Sequence, residues 1–170
     1  MLLELVPEDA PILKQKADAF DFSNPPTDPA ELVKNLFDTM FSESAVGLAA
    51  PQVGLLHRVF VMYDPGPIKI ERAVFNPEVV AVSDELLRER EGCLSFPDLW
   101  LDVKRPSWVE ARYQDVDGNV VNERFENLAA RCYLHETDHL NGIRFIELVG
   151  PVSLMRAKDR RSKLYKKVSK

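Results

Sequence analysis

Apolar residues recur three and four apart at Leu32, Leu36 and Met40, with Val33 and Phe37 beside them; this spacing predicts an amphipathic helix. Asp28 as N-cap, Pro29 at the first helical position and Glu31 at the third mark its start, and it should end near Ser44. A second helical pattern runs from about Glu126 to Leu140, where Asn141-Gly142 stops it. Within it, Leu128, Cys132, position 135, position 136 and position 139 fall in an arc of ~100°, while Arg131 and Asp138 point elsewhere. Strand-like stretches lie at Arg58 to Tyr63 and at Ala73 to Val82, the latter as one or two strands around Asn76-Pro77. Leu99 to Val103 alternates likewise, and Trp108 to Gln114 should pair with Val120 to Phe125 across the turn Asp117-Gly118-Asn119. Residues 1–20 read as a short wrapped segment, and Ser23 to Pro29 as a loop. Asp84 to Glu91 is densely charged and reads as exposed; Ile143 to Leu148 reads as extended. A basic helix should close the chain at about 153–168.

With 170 residues, 45% of them hydrophobic, the chain suits one domain over 1–170 with a genuine core. Nothing marks an internal linker. No apolar run approaches the ~20 residues of a membrane span, and no basic-then-apolar leader argues for export, so a cytoplasmic protein without membrane contact is expected. The two cysteines then read as thiols. Residues 151–170 hold eight Lys/Arg against one Asp, a net +7, which leaves −12 on the other 150 of a chain whose net charge is −5. So acidic a body argues against general nucleic-acid or specific DNA binding. The basic tail, Arg156 to Lys170, suits an anionic surface such as RNA, although a solvated terminal helix is the simpler reading.

The most informative stretch is Leu134-His135-Glu136-Thr137-Asp138-His139. His135 and His139 lie ~40° apart, one helical turn from each other, and can grip one metal ion. Glu136 sits ~100° round from His135, where it can reach a water on the metal without being a ligand. A reactive metal needs a third protein ligand and an open position. His57 begins a strand with no acidic or thiol neighbours. Cys132 shares the inward helix face, but a buried small wall residue explains it as well. Cys93 lies in Glu91-Gly92-Cys93-Leu94-Ser95-Phe96-Pro97, a glycine-flanked turn where backbone N–H groups can stabilise a thiolate. Cys93 is favoured; the residues alone leave Cys132 open.

Three blocks now stand in order: Gly47-Leu48-Ala49-Ala50-Pro51-Gln52, Glu91-Gly92-Cys93-Leu94-Ser95 and His135-Glu136-Thr137-Asp138-His139. Together they resemble the peptide deformylase family, from the N-terminal segment to about residue 150. The resemblance implies a metal held by Cys93, His135 and His139, with Glu136 as acid/base. It implies Gln52 and the Leu94 N–H as oxyanion donors, and Val46, Gly47 and Gly92 as backbone partners of a peptide. Leu128, Cys132 and the surroundings of Val46 would form the methionine pocket, and Asp138 would either orient an imidazole or make a salt bridge. The implied reaction is hydrolysis of the formyl group from formyl-methionyl nascent peptides, in the cytoplasm or an organelle that starts translation with formyl-methionine. Thiolate plus two imidazoles suits Fe²⁺, Zn²⁺, Ni²⁺ or Co²⁺, and the resemblance favours Fe²⁺ in the cell. In some relatives a C-terminal helix docks on the ribosome, which the basic tail would permit. The chain departs from the family at Ala45 (usually Gly), Leu134 (commonly Gln), Trp100 (often basic) and Arg131 (usually apolar). Two other readings compete: a zinc endopeptidase using Glu147 as third ligand, and a closed metal-stabilised module completed by Cys132 or His57. The expected fold is α+β: small antiparallel or mixed β-sheets packed around a central metal-binding helix, with an N-terminal and a C-terminal helix.

Overall fold

The structure, a computed structural model, describes residues 1–67 and 69–168. Lys170 of the basic tail lies outside them. The chain runs α1 (Pro29–Ser42), β1 (Gly47–Ala49), β2 (Val59–Asp64), β3 (Ile70–Val82), β4 (Leu86–Cys93), β5 (Phe96–Pro106), β6 (Trp108–Gln114), β7 (Val120–Glu126), α2 (Asn127–Leu140) and α3 (Pro151–Val168). This is the α+β architecture expected. Five strands form one sheet in the order β1-β2-β3-β6-β7, and β4-β5 form a separate hairpin. Every pairing between these strands is antiparallel. The one parallel contact among the described residues is an isolated bridge between Asp18 and His57, so the sheets are not mixed.

The predicted caps act locally as expected. Asp28 Oδ1 accepts the Glu31 N–H at 2.8 Å, and α1 buries Leu32, Leu36 and Met40 against β1 and β2. The anticipated β6–β7 hairpin forms, its register running from Trp108 opposite Glu126 to Gln114 opposite Val120. α2 lies on the five-stranded sheet, with the fully buried Tyr133 ring 5.4 Å from Phe60 and 5.3 Å from Phe125. A third apolar cluster forms where β5 turns Leu99, Leu101 and Val103 inward, on alternate positions, to meet Phe145 and Ala157.

Ala73 to Val82, expected as one or two strands, falls within the single strand β3, whose register shifts between Phe75 and Glu78. Asn76 sits there at φ +49°, where its side-chain amide bonds the Phe20 N–H and C=O at 2.8 and 2.9 Å. Several expectations need correction. Ile143 to Leu148 is not extended: Phe145–Leu148 coils into a 3₁₀ turn that buries Phe145 against Phe96. The charged run is half of a hairpin; Arg88, Glu89 and Arg90 are exposed, but Glu91 is buried. Arg131, expected to point away from the helix's inner face, is only 6% exposed. Among the described residues no helix is long and apolar enough to cross a membrane.

Candidate metal centre

The β4–β5 hairpin and α2 converge on one point. Cys93 ends β4 opposite Phe96, with Leu94-Ser95 as the turn, and the ladder slips between Glu91 and Cys93 so that Gly92 bulges. His135 and His139 project from α2 with ring centroids 4.9 Å apart. One ligand atom from each of Cys93, His135 and His139 lies within 4.8 Å of the others, and no other such group forms among the described residues. Cys93 Sγ is 3.2 Å from His139 Nε2. The alternatives fall away on geometry. Cys132 gives its thiol hydrogen to the Val46 carbonyl at 3.2 Å, and burial pushes that thiol well up. His57 packs edge-on to Phe20, and Glu147 pairs with Arg144.

The donor set fits a metal ion for a second reason. His135 Nδ1 is held by Glu91 Oε1 at 2.6 Å, which leaves Nε2 available to bind a metal. Burial and the neighbouring His135 hold the His139 ring well below its ordinary pKa, so it stays in the neutral form that binds metals. Two buried polar atoms beside the site, Glu136 Oε2 and His139 Nδ1, have no hydrogen-bond partner among the described residues.

Glu91 is the residue the sequence reading missed. Its Oε1 takes His135 Nδ1 and Arg105 Nη2 (2.7 Å); its Oε2 takes Arg105 Nε and Arg131 Nη1, both at 2.8 Å. Burial alone would raise its pKa, but the hydrogen bonds from Arg105 and His135 and their charge hold the carboxyl well below the ordinary carboxylate range. Arg105 reaches on to Asp138 Oδ2 at 2.8 Å. Asp138 therefore makes a salt bridge to Arg105. A signal was available: Arg105 continues the inward alternation of Leu99, Leu101 and Val103, and a cation on a core-facing position needs a buried anion.

Glu136, next to His135 on α2, is buried, and burial pushes its carboxyl up to about 7. A group so poised can both take and return a proton at neutral pH. Gln52, in the 3₁₀ turn Ala50–Val53, is oriented by the Ala49 N–H, which donates to its Oε1 at 2.9 Å. Its Nε2 then points at Ser95 Oγ (3.1 Å) and Cys93 Sγ (3.5 Å). Leu94 follows Cys93 in the same turn.

A cleft of about 370 Å³ opens over this centre, lined among others by Val46, Gly47, Gln52, Gly92, Leu94, Leu128, Cys132 and Glu136. Every substrate residue expected from the sequence thus borders one cavity, although Leu128 is 40% exposed and sits at its rim. β1 is an edge strand. The Val46 carbonyl accepts the Tyr63 N–H at 2.8 Å, and Gly47 stands opposite Met62. By the alternation of an antiparallel ladder, Gly47 therefore turns its N–H and C=O to the open side. A Cβ on Gly47 would collide with the Glu136 carboxylate and come within 2.8 Å of Cys132 Sγ. Gly47→Ala is expected to lower kcat/KM on the order of 100-fold by displacing Glu136, with little change in thermal midpoint; steady-state kinetics beside a melting curve check this. The departures border the cleft too. Trp100 lies against Gly92 under the Arg90 guanidinium (5.2 Å), and Ala45 and Arg131 line the wall. Leu134 instead packs against the core under α2.

A family model described as polypeptide deformylase matches residues 2–153. The chain is 40% identical over 139 residues to a peptide deformylase of Pseudothermotoga lettingae, covering 82% of this chain and 78% of that protein. Among solved structures it resembles a peptide deformylase from Legionella pneumophila (TM-score 0.87, 29% identity, 100% of this chain and 99% of that one). It also resembles the one from Thermotoga maritima (TM-score 0.81, 34% identity, 89% and 99%).

Proposed function

Since this chain belongs to the polypeptide deformylase family, we propose a division of labour among its residues for that family's reaction. The protein is a metal-dependent hydrolase that removes the formyl group from the N-terminal formyl-methionine of new peptides, with release of formate. The observation that carries the assignment of residues is the convergence of Cys93, His135 and His139 beside the buried Glu136.

Cys93, His135 and His139 would hold one divalent cation. Such a cation supplies Lewis acidity, polarising a carbonyl and lowering the pKa of water from ~15.7 toward ~7. Glu136 accepts the proton of the attacking water and delivers it to the leaving amine. Gln52 Nε2 and the Leu94 N–H donate to the oxygen that gains charge, an interaction whose loss typically costs ~10²–10³ in rate. Glu91 fixes the tautomer and aim of His135. The edges of β1 and β4 at Val46, Gly47 and Gly92 receive the peptide as an added strand. Leu128, Cys132 and the Val46 side chain enclose the methionine. A formamide carries the smallest acyl group, so its carbonyl reaches a recessed centre.

Fe²⁺ is the cation we assign in the cell, because a thiolate with two imidazoles suits it as well as Zn²⁺, Ni²⁺ or Co²⁺ and the family likeness favours iron. Metal analysis of anaerobically purified protein, run beside formate release from a formyl-Met tripeptide, tests both. About one iron per chain and one formate per peptide are expected; cleavage of internal peptides without formate would overturn the assignment. We read residues 1–170 as one catalytic domain working in the cytoplasm, or in an organelle that initiates with formyl-methionine. Arg161 and Tyr165 tie α3 to the Pro97 carbonyl, and Arg161 also pairs with Glu8. That leaves Lys163, Lys166 and Lys167 exposed for contact with ribosomal RNA; unchanged cosedimentation with ribosomes after deletion of 153–170 would remove this partner.

A further inference from the structure

We propose that Trp100 selects the residue that follows methionine in the substrate, favouring peptides with an aromatic side chain at that second position. The inference rests on the deformylase reading of the cleft and adds a specificity-determining residue to it. Trp100 lies on the outer face of β5, alternating with the inward Leu99 and Leu101, and 47% of it is exposed. It borders the same cleft as Gly47, Gly92 and Cys93. The ring is held there. A Cβ on Gly92 would come within 2.9 to 3.1 Å of its Cζ3, Cε3 and Cη2 atoms, so the indole lies across the glycine of the neighbouring strand, in the space a side chain would take. Arg90, two residues earlier on β4, sets its guanidinium 5.2 Å from the ring centroid, a cation–π contact that steadies the aromatic plane.

Strand alternation decides which substrate residue meets this ring. Among the described residues β4 pairs only with β5, so its other edge is open to an added strand. The two faces of the hairpin differ: Glu91 turns inward to His135 on α2, whereas the side-chain direction of Gly92 is outward, onto the indole. Successive side chains of a strand point to opposite faces, and adjacent strands lie ~4.8 Å apart. A peptide laid along β4 with its methionine directed inward, at Leu128 and Cys132, directs its second side chain outward, to the face that carries Trp100. Because the ring already reaches across Gly92, it stands one strand nearer to that side chain than its own place on β5 would put it. An aromatic group there gains apolar burial and an offset or edge-on ring contact. Alanine gains little of either, and aspartate meets a ring whose face is negative.

The test compares kcat/KM for formyl-Met-Phe-Ser, formyl-Met-Ala-Ser and formyl-Met-Asp-Ser, read as formate release, in the metal-loaded wild type, Trp100→Ala and Trp100→Phe. Ratios between substrates within one preparation cancel differences in metal content and folded fraction. The Phe-to-Ala ratio should be about threefold to tenfold higher in the wild type than in Trp100→Ala, the span expected for one aromatic pair. Trp100→Phe restores a ring at the same place and should keep most of the preference. A ring that only braces the hairpin would change the rates on all three peptides together and leave their ratios alone. Equal Phe-to-Ala ratios in wild type and Trp100→Ala would therefore overturn the proposal. A wild-type preference for Asp over Phe would overturn it too, and would assign the selection to Arg90. Formate release from formyl-Met-Ala-Ser with either of those results would leave the deformylase reading standing; no formate from any peptide would overturn both.

Discussion

Glu136→Gln is expected to keep its metal and lose about 10²–10⁴-fold in kcat, the span that a positioned acid/base group contributes. The reason is positional. Glu136 is buried beside the three ligand residues, its Oε2 has no protein hydrogen-bond partner among the described residues, and its carboxyl is poised near neutrality. The amide has the same shape and fills the same space, so the cleft and the ligands should be undisturbed, but it cannot take a proton from water. Metal content by elemental analysis, beside formate release, separates the two effects. Wild-type turnover from a metal-replete Glu136→Gln protein would refute the role.

Cys93→Ala should go further and abolish retention of the metal. Only two ring nitrogens would remain, and no other thiol can replace the lost one: Cys132 is turned to Val46 and its proton is held by burial. The loss of affinity should exceed the ~10–100-fold typical of removing a residue that merely supports a ligand. Equilibrium dialysis with Zn²⁺ measures it. A Cys93→Ala protein that still binds one metal tightly would move the third ligand elsewhere.

Much of this centre was legible before the fold was known. The i, i+4 spacing of His135 and His139 specifies a shared helical face by itself, and Asn141-Gly142 ends that helix where the structure ends it. The Asp28 cap and the Asp117-Gly118-Asn119 turn are equally local, so they too were readable. What escaped depends on partners distant in sequence. Arg131 and Glu91 look like surface charges when periodicity alone is consulted, and only the meeting of α2 with the β4–β5 hairpin lets each neutralise the other in the interior. The distinction between Cys93 and Cys132 was open for the same reason. Both sit near the right chemistry, but which sulfur meets the imidazoles is decided by tertiary approach. Phe145–Leu148 was misread because nothing within six residues shows that Phe145 must fold back onto Phe96.

Cys93, the proposed sulfur ligand, belongs to a two-stranded hairpin that shares no backbone ladder with the large sheet, whereas His135 and His139, the proposed nitrogen ligands, belong to the helix lying on that sheet. Loading the ion and docking the hairpin are therefore linked equilibria. Any cation that prefers the docked arrangement stabilises it in proportion to the logarithm of its free concentration over its dissociation constant. Starvation for metal would consequently be felt first as a loosening between two halves of the molecule, before any single bond within either half had weakened.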